Sequence, residues 1–303
     1  GGYNTSRFGV KGTEDIGGGV KANFVLESAV AADTGAAGSS STGNFWDRAA
    51  WAGLSSANLG ELRVGRQNTP IGDVSADAIS SGPQPYDTLR IGNTRAADSY
   101  RRADNAITYI APKLLPSLTT TLQYSTGTGT EAAGSNVGKQ YGLSVKFVEG
   151  PISAGLGYLN IKDANSALAN NQKANATLVY AGYDFGVAKA TVYYDAETNS
   201  GNVASGNTNR LNVLGANVVA PISPEFSVNV GVAKARNVDG EKAGTDNVNI
   251  TTVRGVYTLS KRTAVYAQFA NANNGSTAGR NLGATVTDGK VARGIAVGLR
   301  HSF

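Results

Sequence analysis

Apolar and polar residues alternate with the period of a β-strand along almost the whole chain. Fifteen segments of roughly eight to twelve residues show this alternation, which places successive side chains on opposite faces of a sheet. The last segment, Ala292 to Phe303, has Ile295, Val297 and Leu299 on one face and small or polar residues on the other. The pattern predicts an all-β fold in which each strand has one apolar face.

The connections between these segments alternate between short and long. Short connections include 149–150 and 185–186, whereas long ones include 127–138 and 162–173 and are rich in Gly, Asn, Ser and Ala. Short turns at one end and long loops at the other are typical of an outer-membrane barrel. Greek-key connections in a soluble sandwich give no such segregation of loop length. We therefore predict a transmembrane antiparallel β-barrel that forms a single domain over residues 1–303.

Composition excludes some classes of protein and leaves others open. Only 41% of the residues are hydrophobic, and no window approaches the ~18 consecutive apolar residues of a membrane helix. The same composition suits soluble β-domains and barrels. The chain has no Cys, which excludes disulfides, and no Met, so either a leader has been removed or the sequence begins late. Net charge is +5, but Lys and Arg are scattered, so no nucleic-acid partner is expected.

Strand direction tests whether the barrel is complete. If the short turns all lie at one end, the first and the fifteenth strands run in the same direction and cannot pair in an antiparallel barrel. An even number of strands is the rule for bacterial single-chain barrels. We therefore expect 16 strands, with 15 visible here and an N-terminal first strand absent from the sequence.

A long insert, residues 68–104, interrupts the pattern without sustained alternation of its own. A structureless segment of this length inside a compact chain is usually functional or disordered. Three prolines stiffen its path and three glycines let it turn. The residues alone leave open whether it is a surface loop or is folded inward.

Several motifs together resemble the general diffusion porins of Gram-negative outer membranes, in particular the β-proteobacterial type, some of which are anion-selective. The motifs are SRFGVKG at 6–12, RAAWAGL at 48–54, LRVGRQNTP at 62–70, DNAITYIAP at 104–112 and the terminal GLRHSF. The resemblance covers the whole chain in order. It implies a sixteen-stranded barrel in a homotrimer, located in the outer membrane after export through the periplasm. It further implies that 68–104 is a constriction loop inside the barrel and that Phe303 is an assembly signal.

The alternation also assigns charged residues to the face opposite the apolar one, independently of the family. If the apolar face, which includes Trp51 in the third strand, contacts lipid, the opposite face is the lumen. Its predicted basic residues are Arg7, Lys11, Lys21, Arg48, Arg63, Lys146, Lys189, Arg254 and Arg300. Its predicted acidic residues are Glu27, Glu61 and Asp195. Charges on the lipid side would cost several kcal/mol near the bilayer midplane, so these residues should face the lumen. Because the basic residues outnumber the acidic ones, the lumen should be positive.

The predicted pore constriction is a cluster of arginines. Arg66 shares the phase of the apolar residues, but a bulge after Gly65 would return it to the lumen. Arg102 lies at the end of the insert. The predicted cluster therefore contains Arg7, Arg48, Arg63, Arg66 and Arg102. The loop acids Asp73, Asp77 and Asp87 either set a transverse field or fix the loop to the wall.

The predicted function is passive diffusion of small hydrophilic solutes, anionic and neutral, with anion selectivity from the arginines. An outer-membrane barrel enzyme and a soluble β-rich binding or adhesion protein are the alternatives. The only histidine, His301, is two residues from the C-terminus, so we expect no enzyme activity and no metal site. No cofactor is expected, while a structural Ca²⁺, a bound anion and lipopolysaccharide contacts by the long loops stay open.

Overall fold

A computed structural model describes residues 6–38, 44–79, 88, 98–113, 115–127, 139–162, 174–198, 210–238 and 244–303. These residues form fifteen strands and two helices. The strands are β1 (Ser6–Gly17), β2 (Val20–Val30), β3 (Ala49–Ser56), β4 (Gly60–Asn68), β5 (Arg102–Ile110), β6 (Leu118–Ser125), β7 (Gln140–Glu149), β8 (Ile152–Ile161), β9 (Ala174–Asp184), β10 (Lys189–Thr198), β11 (Arg210–Pro221), β12 (Phe226–Arg236), β13 (Val248–Ser260), β14 (Thr263–Asn274) and β15 (Val291–His301). The helices are α1 (Pro70–Ala78) and α2 (Asp98–Arg101).

All fifteen strands belong to one antiparallel sheet in sequence order, from β1 to β15. Short and long connections alternate strictly along it, so the predictions of fifteen strands and of segregated loop lengths are confirmed. β1 and β15 are the edge strands and run in the same direction, and within the described residues the sheet is not closed by pairing between them. A sixteenth strand stays a prediction.

The two faces of the sheet differ in chemistry. On β15, Ile295 is 78% exposed, Val297 76% and Leu299 64%, as the alternation predicted for a lipid-facing surface. The opposite face of the neighbouring strands carries polar groups, including Arg254 on β13 and Gln268 on β14, both of which are buried. We call this opposite face the inner face. Among the described residues, no helix is long and apolar enough to cross a bilayer.

The beginning of the insert is helical, which corrects the expectation of a structureless segment. Thr69 is the N-cap of α1, and its hydroxyl accepts a hydrogen bond from the Gly72 amide at 3.1 Å. Pro70 occupies the first turn, where its missing N–H costs nothing, and Asp73 places negative charge at the positive end of the helix dipole. These N-terminal helix signals are present in the sequence, but they are not part of a strand alternation.

The helix α1 lies on the inner face of β6 to β10. Ile71, Val74 and Ala78 are fully buried there, and each large apolar side chain removed from water contributes about 1.5–3 kcal/mol. Two glycines of the sheet make room for the helix. A Cβ on Gly142 would lie 2.7 Å from Cδ of Pro70, and a Cβ on Gly157 would lie 2.9 Å from Cα of Ile71.

The two ends of the insert are hydrogen bonded to each other. The Thr69 amide donates to the Arg101 carbonyl at 2.9 Å, and the Thr69 hydroxyl donates to the Tyr100 carbonyl at 2.5 Å. Beyond this closed base, the insert contacts β10. The Tyr193 hydroxyl donates to Thr88 at 2.6 Å, and the Tyr100 hydroxyl donates to Asp195 at 3.4 Å. The described part of the insert therefore lies against the inner face.

Candidate functional site

A cavity of about 310 Å³ opens on the inner face between β1 to β5 and α1. We call it the arginine cavity because four of the five predicted cluster residues line it: Arg7, Arg48, Arg63 and Arg102. Its other polar lining residues are Glu27, Gln67, Asn68, Asp73, Thr108 and Thr121. The fold thus brings together guanidinium groups that are up to 95 residues apart in sequence.

Arg7 and Arg48 share one carboxylate. Arg48 Nε donates to Glu27 Oε1 at 2.5 Å, and Arg7 Nη1 lies 3.8 Å from the same oxygen. The residues come from β1, from the residue before β3 and from β2, so the pairing of three neighbouring strands fixes the geometry. One carboxylate neutralises only one of the two guanidinium groups, which leaves a net positive charge at this side of the cavity.

Arg63 on β4 is held from two directions. Its Nε and Nη2 donate to the two Glu61 oxygens at 2.9 and 2.8 Å, the bidentate geometry that orients a guanidinium group most strongly. Its Cζ also lies 4.3 Å from the centroid of the Trp51 ring, within the range of a cation–π interaction. Both partners belong to the sheet, so the position of Arg63 does not depend on the insert.

The prediction that Trp51 faces lipid is wrong, because Trp51 lines the arginine cavity. The outward residues of β3 are Ala52 and Leu54, both exposed. The prediction assigned the bulkiest apolar residues of the segment to the lipid face, and the indole ring of Trp51 is the bulkiest of them. Leu54 and Trp51 lie on opposite faces of β3, so the apolar residues of this strand do not by themselves decide which face contacts lipid.

Arg66 lies outside the arginine cavity. Its Nε donates to the Asp47 carbonyl at 2.6 Å, and its Nη1 forms an ion pair with Asp104 at 2.5 Å. The side chain is only 8% exposed. The expected irregularity after Gly65 is present in the pairing of β4 with β5, but it brings Gln67, rather than Arg66, to the cavity.

A second cavity, of about 550 Å³, lies one turn further along α1, towards the short turns. We call it the lysine cavity. Lys146 and Lys189, which were predicted to face the lumen, line it together with Lys113, which lies in the turn after β5 and was not among the predicted residues. Asp77 of α1 reaches into this cavity and forms an ion pair with Lys146, with 3.2 Å between Nζ and Oδ2.

The remaining predicted lumen charges lie on the inner face but line neither cavity. Lys11 is opposite Val25, and Lys21 is opposite Ser55. Arg254 is opposite Asn229 and Gln268, and Arg300 is opposite Ala264.

An acidic residue of the inner face was missed. Glu197 is buried two residues beyond Asp195 on β10. Glu197 lies near the end of β10, which extends to Thr198, and it is in phase with Asp195.

Asp73 is the loop acid that lines the arginine cavity. Burial raises the pKa of its carboxyl above the ordinary value, and the charge of Asp77 adds to this shift. A hydrogen bond from Asn68 at 2.9 Å and the charges of Lys146 and Arg63 act in the opposite direction and are weaker in sum. Asp73 therefore accepts a proton at a higher pH than an exposed carboxylate.

Asp87 lies outside the described residues. Phe303 is exposed beyond β15, with its ring 4.8 Å from that of His301, and its role as an assembly signal stays a prediction. Within the described ranges, no group of three or more His, Cys, Asp or Glu residues is arranged to hold a metal ion.

Comparison of the sequence with known proteins agrees with the geometry. The sequence family described as Gram-negative porin matches residues 1–277. The chain is 31% identical over 320 residues to outer membrane porin protein 32 of Delftia acidovorans, which covers 100% of this chain and 86% of that protein. It is 27% identical over 335 residues to an outer membrane porin protein of Bordetella pertussis, which covers 99% of this chain and 83% of that one.

Solved structures show the same architecture. The anion-selective porin from Comamonas acidovorans superposes with a TM-score of 0.80 at 28% identity, over 100% of this chain and 91% of that one. Salmonella typhi OmpF has a TM-score of 0.66 at 18% identity, over 87% and 81% of the two chains, which shows likeness of fold alone. The fifteen-stranded sheet, its exposed apolar face and these matches lead to one conclusion: the chain belongs to the Gram-negative porin family and is an integral protein of the outer membrane.

Proposed function

We propose that this porin is a passive diffusion channel that favours small anions, with the arginine cavity as the narrow part of its path. The observation that carries the proposal is the convergence of Arg7, Arg48, Arg63 and Arg102 on one water-accessible space beside α1. In this proposal residues 68–104 form the constriction loop. The described part of that insert supports it, because α1 packs on the inner face of the sheet.

The charge balance of the cavity supports the sign of the selectivity. Four guanidinium groups face the carboxylates of Glu27 and Asp73, a formal excess of two positive charges. Counting Glu61, which binds Arg63, the excess is still one. Guanidinium groups stay charged at any physiological pH, so the preference does not depend on protonation of the basic residues.

The mechanism is electrostatic and involves no chemistry. An anion that enters the narrow space exchanges part of its water shell for guanidinium N–H groups, and a cation meets a repulsive potential. Because Glu27 and Glu61 already occupy part of the donor capacity of these arginines, each contact with a passing anion is weak. Weak contacts at several sites allow the solute to leave again, which passive diffusion requires.

The relatives support the same preference, since one of the similar structures is described as an anion-selective porin. Three further points belong to the proposal: assembly as a homotrimer, contact of the long loops with lipopolysaccharide, and passage of neutral solutes small enough for the constriction. A fourth point of the proposal is that the outer-membrane insertion machinery recognises Phe303 during assembly.

The test is the reversal potential of the purified porin in a planar bilayer with a KCl gradient. We expect the sign of an anion-selective channel, and a reversal potential of cation sign overturns the proposal. Arg48→Gln and Arg63→Gln should each move the potential towards zero. Lys261→Gln is the matched control, because it removes one positive charge from the exposed turn between β13 and β14 and should leave selectivity unchanged.

No specific observation favours the two alternative functions, an outer-membrane barrel enzyme and a soluble β-rich binding or adhesion protein. The related proteins are channels rather than enzymes, which argues at the family level against a barrel hydrolase. The outer-membrane location argues against a soluble adhesion protein. Purified porin should therefore show ion conductance and no hydrolytic activity.

A further inference from the structure

Four apolar side chains line the arginine cavity, Ala49 and three larger ones; the larger ones are Val25, Trp51 and Ile110, which we call the apolar strip. The inner wall of a porin-type barrel is normally polar because it contacts water. Other apolar residues of the inner face, such as Leu159 on β8 and Leu178 on β9, are fully buried. The apolar strip differs, because all three of its residues are only partly buried and line an open space.

The sheet register gives Trp51 an apolar cross-strand neighbour on one side only. Val25 is the direct cross-strand neighbour of Trp51 on β2, and the two side chains form a continuous apolar surface. On the other side, the cross-strand neighbour of Trp51 is Gly65 on β4, which has no side chain. Trp51 therefore has the Val25 side chain beside it on β2 and the Arg63 guanidinium group over its ring, while the residue still lines the cavity.

Positive charge lies next to this apolar surface. The guanidinium group of Arg63 lies 4.3 Å from the Trp51 ring centroid and is fixed by Glu61, while Arg7, Arg48 and Arg102 line the same cavity. A site with an apolar wall and cationic groups is complementary to a solute with a flat apolar body and a single anionic head. At about 310 Å³ the cavity is at the lower end of the ~300–1,000 Å³ range of small-molecule sites.

We infer that the constriction holds a weak subsite for monocarboxylates with a flat apolar body, of which benzoate is the simplest. The carboxylate contacts the arginines, and the ring lies against Trp51 and Val25. This inference rests on the proposed anion preference and names a solute class within it. An acetate ion makes the same charge contact without the ring contact, so the difference between benzoate and acetate isolates the apolar strip.

The experiment compares block of the chloride current by benzoate and by acetate in planar bilayers. A ring contact of ordinary strength corresponds to a half-blocking concentration about 2–10-fold lower for benzoate than for acetate. Trp51→Gln and Val25→Thr should each reduce that ratio towards one while the reversal potential in KCl keeps its anion sign. Val25→Thr is nearly isosteric and keeps the result interpretable if Trp51→Gln does not assemble.

Two control variants match these changes. Val148→Thr makes the same substitution at an apolar residue of the lysine cavity. Trp46→Phe alters the only other tryptophan, which lies before β3. Both should keep the wild-type ratio. In the Trp46→Phe background, benzoate should change the emission of Trp51 saturably, whereas acetate should not.

The outcomes separate this inference from the proposed function. Equal block by benzoate and acetate in a channel of anion sign overturns the subsite and leaves the anion preference standing. A selective benzoate block that survives both Trp51→Gln and Val25→Thr also overturns the subsite, because the ring contact then lies elsewhere. A reversal potential of cation sign overturns the proposed function first and the subsite with it.

Discussion

Asp77 of α1 and Lys146 of β7 form an ion pair that joins the insert to the wall, with 3.2 Å between Oδ2 and Nζ. The Asp77 side chain is 44% exposed, so water screens the pair and its contribution to stability is small, about 0–1 kcal/mol. Its main effect is on the charge of the lysine cavity, where Lys113 and Lys189 also lie.

Asp77→Asn should raise the chloride-to-potassium permeability ratio. One unit charge at about 4 Å in water is equivalent to about 1 kcal/mol, which sets an upper limit of roughly fivefold on the change. Lys146→Gln should shift the ratio in the opposite direction. Reversal potentials in a KCl gradient measure both, and thermal unfolding of the two variants should match that of the unchanged protein. A large loss of stability in Asp77→Asn would show that the pair holds the insert in place.

Anion selectivity should increase as the pH falls through the raised pKa of Asp73. A carboxyl whose pKa is raised in the folded state becomes neutral at a higher pH than an exposed carboxyl. Its loss of charge removes one of the two carboxylates that line the arginine cavity, while Arg63 and Lys146 remain charged. The same shift stabilises the folded state as the pH falls, since the buried charge is removed. Reversal potentials recorded from neutral pH down to the ordinary pH range of an exposed carboxyl should show the step.

Asp73→Asn should abolish this step. The variant should show, at every pH, the higher anion selectivity that the unchanged protein shows only at acidic pH. Asp33→Asn is a suitable control, because Asp33 is exposed in the loop after β2. A pH step that persists in Asp73→Asn would assign the titration to another group.

Gly157→Ala should reduce the single-channel conductance. A Cβ at this position would lie 2.9 Å from the Ile71 Cα, so α1 must move off β8 towards the lumen. Overpacking of this kind costs typically about 1–3 kcal/mol, and thermal unfolding should show a loss of that order. Ala154→Val adds bulk to the outward face of the same strand and should leave conductance unchanged. An unchanged conductance in Gly157→Ala would mean that α1 does not limit the channel.

Arg66→Gln should affect stability more than selectivity. Removing the guanidinium group leaves Asp104 and the Asp47 carbonyl without a charged donor, at a cost of roughly 1–3 kcal/mol. Arg66 is not among the residues that line the arginine cavity, so the reversal potential should change less than in Arg63→Gln. The comparison of thermal unfolding and reversal potential in the two variants measures this. A larger selectivity change in Arg66→Gln would place Arg66 on the ion path.

Trp51 should be quenched more strongly by iodide than by caesium ions. In Trp46→Phe, Trp51 is the sole tryptophan, and four guanidinium groups line the cavity that it faces. A positive environment concentrates the anionic quencher and excludes the cationic one. Stern–Volmer slopes with the two ions, with acrylamide as the neutral reference, give the comparison. Slopes that favour caesium would contradict a positive cavity.

The strands and their loops were predictable because both depend on local patterns. An alternation with a period of two fixes the face of most residues, as Ile295 and Lys146 illustrate, and turn length needs no knowledge of distant contacts. Helix α1 was also within reach, since Thr69, Pro70 and Asp73 form an N-terminal signal. It was missed because the segment was judged for strand character alone.

The positions of Trp51 and Arg66 were less accessible from the sequence. The bulge between β4 and β5 depends on pairing across strands, with Asn105 in a left-handed conformation at φ 48°. Trp51 was assigned to the lipid face because of its large apolar side chain. Its cation–π contact with Arg63 forms only in the folded sheet, so the sequence did not reveal it. The error at Arg66 therefore arose at a bulge, whereas the error at Trp51 arose inside β3, where side-chain size decided the assignment.

The hydrogen bonds that join Thr69 to Tyr100 and Arg101 have a consequence for engineering. They close the insert at its base, so the residue before α1 and the last two residues of α2 are joined directly on either side of the stretch 79–97. That stretch can then be exchanged as a cassette between related porins while the same arginines remain on the wall. Such grafts should give channels that differ in width but keep the same preference for anions.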